Sequence, residues 1–340
     1  MDCPQNTAPR PPRPFWRLLG LFLFAVASLG LACLAGSVAL SWRQLPAAIM
    51  QALSDNPAEL AGTVLQWRLS RALTAFSTGG ALALAGVMMQ ALLRNPLADP
   101  YVLGISGGAS VGALLVLFLA GTAWMVSAGA LAGALLIALL LYVLVCRESE
   151  PDTSASPLLL LTGVVLACGC GAVIAILLSI APDGNLRGML FWLIGDLEGT
   201  RFGGITFGVL LAVLLYALRI ARPVNLLALH AESAQTLGVP VALTRKALFA
   251  CSAALTACAV ANTGSIGFVG LIAPHACRLL LGTDHRWLFP ASLLAGGGFL
   301  VLADTLSRVV AAPQQLPVGA VTALIGVPLF LFQLYQVRRG

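Results

Sequence analysis

The sequence predicts an all-α, polytopic membrane protein of about ten transmembrane helices, and three observations carry that expectation. Hydrophobic residues fill 59% of the 340 positions and charged residues only 9%, against roughly 45–50% and about 25% in an ordinary soluble domain. The apolar residues form long continuous runs, unlike the short alternating segments of a membrane β-barrel. Lipid offers no hydrogen bonds to backbone amides, so each spanning segment has to satisfy its own, which a helix does.

The runs lie near 17–41, 72–93, 97–119, 123–146, 157–181, 203–219, 243–262, 264–282, 287–312 and 317–337. The first follows Arg10, Arg13 and Arg17. It is longer than a signal-peptide core of about 7–15 residues and ends at no clear A-x-A-like site, so it reads as a retained span behind a short cytoplasmic tail, 1–16. Residues 17–340 then form a single transmembrane domain. Small residues at helical spacing, Gly104, Gly108 and Gly112 and then Gly129 and Gly133, allow helix backbones to approach closely. Proline interrupts the runs at Asn95-Pro96, Ala273-Pro274-His275 and Val327-Pro328, as in bundles where a cavity or neighbour satisfies the freed carbonyls. Two stretches are polar enough to lie outside the bilayer. One is 43–66, with Asp55, Asn56, Pro57 and Glu59. The other, Asn225 to Val239, reads as short amphipathic helices ended by Gly238 and Pro240.

Orientation follows from the basic residues, which concentrate on the cytoplasmic side. Ten spans place Arg10, Arg13, Arg17, Arg94, Arg147, Arg219, Arg222, Arg245, Lys246, Arg278, Arg286, Arg338 and Arg339 on one side. Only Arg43, Arg68, Arg71, Arg187, Arg201 and Arg308 fall on the other. Both termini are therefore expected in the cytoplasm.

Composition also limits function. The net charge of +6 is spread singly between apolar runs, whereas a nucleic-acid footprint clusters its cations. The eight cysteines, among them Cys33, Cys168, Cys170, Cys251 and Cys258, sit mostly within apolar runs without metal-ligand spacing; they read as small packing residues. No metal site is expected. The three histidines, His230, His275 and His285, map to the inner side without an H-E-x-x-H pair, and no nucleophile is visibly matched to a base. An enzyme is therefore not expected; movement of a solute is. A G-x-x-x-x-G-K-[ST] phosphate loop is absent, so ATP hydrolysis would require another chain. Every carboxylate, including Asp99, Asp196, Glu198, Glu232, Asp284 and Asp304, lies near a span end or in a loop. That weakens a stand-alone ion-coupled transporter, whose sites lie near the midplane. The alternative stays open, because backbone carbonyls also bind sodium. A structural membrane subunit without a path is a third reading.

Several strings, in order along the chain, resemble the FecCD-type permeases of ABC importers for ferric siderophores, haem or cobalamin. They are Arg68-Leu-Ser-Arg71, Gly86-Val-Met-Met-Gln90, Arg94-Asn-Pro-Leu-Ala-Asp-Pro100 and Leu103-Gly-Ile-Ser-Gly-Gly-Ala109, followed by Leu226 to Pro240, Gly264 to His275, Asp284-His-Arg286 and Leu316-Pro-Val-Gly319. The resemblance implies a ten-helix subunit of a homodimer in the bacterial inner membrane, with the path at the dimer axis. Two cytoplasmic ATP-binding subunits and a periplasmic substrate-binding protein would complete the assembly. This chain would carry no cofactor; ATP and magnesium would sit in the partner.

Residue roles follow the same resemblance. Arg68, Arg71 and Arg308 match the outer arginines that meet acidic residues of the binding protein, as exposed guanidiniums pair well with carboxylates. Ser70 replaces the family's proline there. Leu226, Leu227, Ala228, Leu229, Glu232, Ser233, Leu237 and Gly238 match the coupling helices that fit a groove on the ATPase, while His230, Ala231 and Gln235 depart from the family wording. Ser179, Asn185, Met189, Trp192 and Asp196, on the fifth span and just outside it, are expected along the pathway.

Overall fold

The computed structural model describes residues 14–36, 60–146, 155–200, 204–229, 231–312 and 314–339. Among these residues the chain is predominantly helical and has no strand. Its helices are α1 (Pro14–Leu34), α2 (Leu60–Leu93), α3 (Ile105–Phe118), α4 (Ala123–Leu141), α5 (Ala155–Ile180), α6 (Asp183–Ile194), α7 (Ile205–Leu229), α8 (Ala231–Thr236), α9 (Val241–Thr263), α10 (Val269–Leu281), α11 (His285–Val309) and α12 (Val318–Arg339). A 3-10 turn, Pro100–Leu103, precedes α3, and a π-helical turn, Tyr142–Cys146, extends α4. Among the described residues, seven helices are long and apolar enough to cross a membrane, and α3, α10 and α12 contribute shorter apolar stretches. Each of the ten expected spans overlaps one of these helices; α6 and α8 are additional.

Several boundaries differ from the sequence-based expectation, each for a local reason. Helix α2 starts at Leu60, inside the stretch 43–66 expected to be an outer loop; the rest of that stretch, to residue 59, lies outside the described residues. Nothing between Leu60 and Arg71 breaks a helix apart from one glycine, and polarity alone had suggested a loop. At 34 residues α2 runs about 50 Å, well beyond a hydrocarbon layer of about 30 Å. Its N-terminal third, with Arg68 and Arg71, is therefore long enough to project beyond such a layer. Span three begins later than expected, at Ile105, because Gly104 takes a left-handed φ of 74° between the 3-10 turn and α3. Asp99 caps that turn by accepting from the Tyr101 N–H at 2.8 Å.

The expected span 264–282 is broken, though not at its proline. Pro274 sits inside α10, and the break is the non-helical stretch 264–268. Gly264 has φ 71°, and Phe268, a bulky residue, is held at φ 69°. Helix α10, 13 residues and about 20 Å long, therefore spans only part of the layer.

Helix α2 is the centre of the bundle, packed by α11, α9, α10, α7 and α1. The close contacts are made by glycine: a methyl group on Gly79 would strike the Gly296 carbonyl, and one on Gly86 the Gly270 carbonyl. A second seam joins α3 to α4, with Gly108 against Gly133 and Gly112 against Gly129. In lipid, where apolar burial drives no helix association, such backbone proximity supplies the dispersion contacts that hold helices together.

Candidate functional site

The chain presents three regions able to act: a charge cluster at one end of α11, a broken segment within the bundle, and a polar junction at the other end of α11. The charge cluster joins the ends of α1, α2 and α11. Asp304 is 1% exposed and holds two arginines. Arg71 grips it with Nη2 at 2.8 Å and Nε at 2.9 Å, and Arg308, one turn further along α11, brings Nε to 3.1 Å of the other carboxylate oxygen. The remaining Arg308 donors reach the Ala32 and Ala35 carbonyls. Arg68 donates to the Cys33 and Leu34 carbonyls. The carbonyls at the C-terminal end of α1, which have no partners of their own within that helix, are thus closed by arginines from two neighbours.

This geometry corrects the expectation of exposed guanidiniums. Arg68 and Arg308 are buried, because free carbonyls and a buried carboxylate lie within their reach. Arg71 turns one edge inward to Asp304 and sends Nη1 outward to the side-chain oxygen of Gln315, 2.8 Å away, in the exposed loop before α12. Three arginines against one aspartate leave the cluster two positive charges in excess. Asp304 itself was not singled out from sequence as part of this site. Its i, i+4 spacing from Arg308 was the available signal.

The broken segment is pinned by Tyr101. Its hydroxyl donates to the Ile266 carbonyl at 2.9 Å and accepts the Ile266 N–H at 3.0 Å, so one oxygen serves both backbone groups of an unwound residue. Around it the Asp196 N–H donates to the Thr263 carbonyl, and the Gly319 N–H to the Gly195 carbonyl. The end of α6, the break before α10 and the start of α12 thereby meet. Nothing in the sequence had marked Tyr101.

The residues expected along the pathway separate here. Ser179 is exposed on α5 and bonded to the Ile176 carbonyl. Asn185 donates to the Leu117 carbonyl and ties α6 to α3. Met189 is fully buried against Leu114 and Leu177 and fills a packing role, contrary to the expectation that it faces solute. Trp192 is half-buried with its carbonyl over Gly264, and Asp196 folds back to accept the Glu198 N–H.

At the other end of α11, the expected separate coupling helices are one continuation and one short helix. Helix α7 runs through Pro223, where one backbone hydrogen bond is forfeited, and takes in Leu226 to Leu229. Helix α8 carries Glu232 and Ser233 and stops before Gly238, at φ 80°. His230 lies outside the described residues. Leu227 and Ala234 face the bundle, whereas Ala228, Ser233 and Leu237 are exposed. Asn225 fastens this region to α11: its amide donates to Asp284 at 2.7 Å and its oxygen accepts the His285 N–H at 2.9 Å. Burial alone would raise the Asp284 carboxyl. Hydrogen bonds from the Arg286 N–H and the Asn225 amide, with the charges of Arg286 and His285, outweigh it and bring the group below its usual range. A second tie runs from the Arg17 guanidinium of α1 to the Leu280 carbonyl at the end of α10.

Comparison with known proteins decides the family. The model of the FecCD transport family matches residues 21–336. The chain belongs to the FecCD transport family. It is 41% identical, over 81% of its length and 73% of the relative's, to the cobalamin import system permease protein BtuC of Halobacterium salinarum. It is 39% identical to the vitamin B12 import system permease protein BtuC of Escherichia coli, covering 81% of this chain and 84% of that one. An ABC transporter permease of Bacillus subtilis, YvrB, is also 39% identical, over 84% and 82%. Among solved structures, one described as an inward-facing metal-chelate-type ABC transporter superposes with a TM-score of 0.83 at 30% identity, over 94% of this chain and 99% of that one.

Proposed function

We propose that this permease of the ABC transporter class imports a ferric siderophore, haem or cobalamin across the bacterial inner membrane. It works as a homodimer with both termini in the cytoplasm, two ATP-binding subunits on its inner face and a periplasmic binding protein on its outer face. The observation that carries the reading is the family membership of nearly the whole chain, with relatives named as cobalamin permeases. The inner surface supports it. Exposed Ala228, Ser233 and Leu237 stand on short helical segments that Asn225 fixes to α11, so a push there is transmitted into the bundle.

Arg68, Arg71 and Arg308 serve as the docking charge. Two of them act from beneath the surface, where an excess of two positive charges is screened less than it would be in open water. That field attracts and orients acidic groups of the binding protein. Ser179 and the α6 to α12 junction are placed along the path.

The test is reconstitution with the cognate ATPase and binding protein in proteoliposomes. ATP-dependent uptake of one of the three solute classes, abolished by omitting either partner, is expected. Uptake by this chain alone, driven by an ion gradient, would replace the proposal with a secondary transporter.

A further inference from the structure

Arg71 occupies an unusual position in the charge cluster. A guanidinium has two edges that can each face an acceptor, and in this chain both are taken. The Nε and Nη2 edge lies on the Asp304 carboxylate in bidentate contact, Nη2 donating to Oδ1 at 2.8 Å and Nε to Oδ2 at 3.2 Å, with Nε also 2.9 Å from Oδ1. The Nη1 side is on Gln315, at 2.8 Å. The two acceptors differ in what surrounds them. Asp304 is almost wholly buried in α11, and Gln315 is exposed in the loop between α11 and α12. A bidentate carboxylate on an arginine is also the contact that an acidic side chain of a partner would make. Arg68 and Arg308 have much of their donor capacity committed to the carbonyls of α1. Arg68 and Arg308 bond to backbone carbonyls, whereas Arg71 bonds to the side chains of Asp304 and Gln315.

We propose that Asp304 and Gln315 are internal stand-ins for the binding protein's carboxylate, so that docking is an exchange of acceptors on Arg71. The proposal rests on the docking role given to the arginines above and adds how that contact is regulated. In the free permease the guanidinium is kept neutralised and oriented by Asp304, which avoids the cost of an uncompensated buried charge. An arriving carboxylate displaces Gln315 from Nη1 first, because that bond is exposed and easily traded for another, and then competes with Asp304 for the charge. The exchange weakens docking below what a free arginine would give. It makes release of the emptied binding protein correspondingly fast, since affinity differences at one interface reside mainly in dissociation rates.

The experiment is binding of the cognate periplasmic protein to the purified permease complex in nanodiscs, with association and dissociation rates read at low and at high salt. Gln315→Ala touches no buried group and changes no charge; it is expected to slow dissociation about threefold, the lower end of the scale for one solvent-exposed hydrogen bond. Asp304→Asn is expected to slow dissociation about tenfold, with the slowing persisting at high salt, where a mere gain in net positive charge would be screened. Arg71→Ala should abolish both gains. If Gln315→Ala instead speeds dissociation, these groups hold Arg71 in its docking pose and the exchange is overturned while the docking role stands. If Arg71→Ala leaves both rates at the parental values, the docking role itself falls and the exchange with it. Should Asp304→Asn fail to fold, the Gln315→Ala result alone decides between exchange and positioning.

Discussion

Helices α2 and α5 are both long apolar spans, yet their surroundings are opposite. In the most apolar window of each, 89% of α2 is buried inside the chain and only 17% of α5. The buried helix is the one with more small and polar residues, Thr74, Ser77, Thr78, Gly79 and Gly80 among them, while α5 presents Leu158, Leu161, Val165 and Ile176 outward. A soluble protein would arrange them the other way, with its most apolar segment inside. In a bilayer, burial follows close backbone fit and hydrogen bonding, and the greasiest face is left for lipid or for another subunit.

The contrast can be broken most severely at the seam. Gly86→Leu puts a side chain into the Gly270 carbonyl, and no folded, monodisperse protein is expected on detergent size-exclusion chromatography. Gly171→Leu, on α5 where nothing lies within 4 Å, should leave the subunit folded; equal damage from both would remove the distinction between the two helices.

A smaller effect is expected at the border between them. Tyr101→Phe deprives Ile266 of both its partners, at about 1–3 kcal/mol for each buried group left unmatched, read as a clear fall in the thermal midpoint. Smaller again is Asn225→Ala at the polar junction, which loses the ties to Asp284 and the His285 N–H. About 1 kcal/mol of stability and part of the stimulation of the partner ATPase should go. A change in stability alone would show that the junction braces α11 without transmitting motion.

The sequence made the membrane class, the order of ten apolar segments and the glycine seam of α3 and α4 legible, because each depends on composition or on spacing along one helix. Positions set by contacts between distant segments were not. Tyr101 and Ile266 are 165 residues apart, and Arg71 and Asp304 are 233 apart. No periodicity registers such pairs. Proline misled in the same way: Pro274 and Pro328 are absorbed inside helices, and the actual break falls at Gly264 to Phe268, where left-handed backbone turns the chain. Burial of Arg68 and Arg308 depended on the end of α1 arriving beside them, which local sequence does not announce.

The pin at Tyr101 bears on how a permease keeps an unwound stretch dry within its bundle. An unwound stretch inside a bilayer normally recruits water to satisfy its amides, and a file of water lets protons leak. Here a phenolic oxygen occupies that place and meets both groups of Ile266, so this residue of the kink needs no hydration of its own.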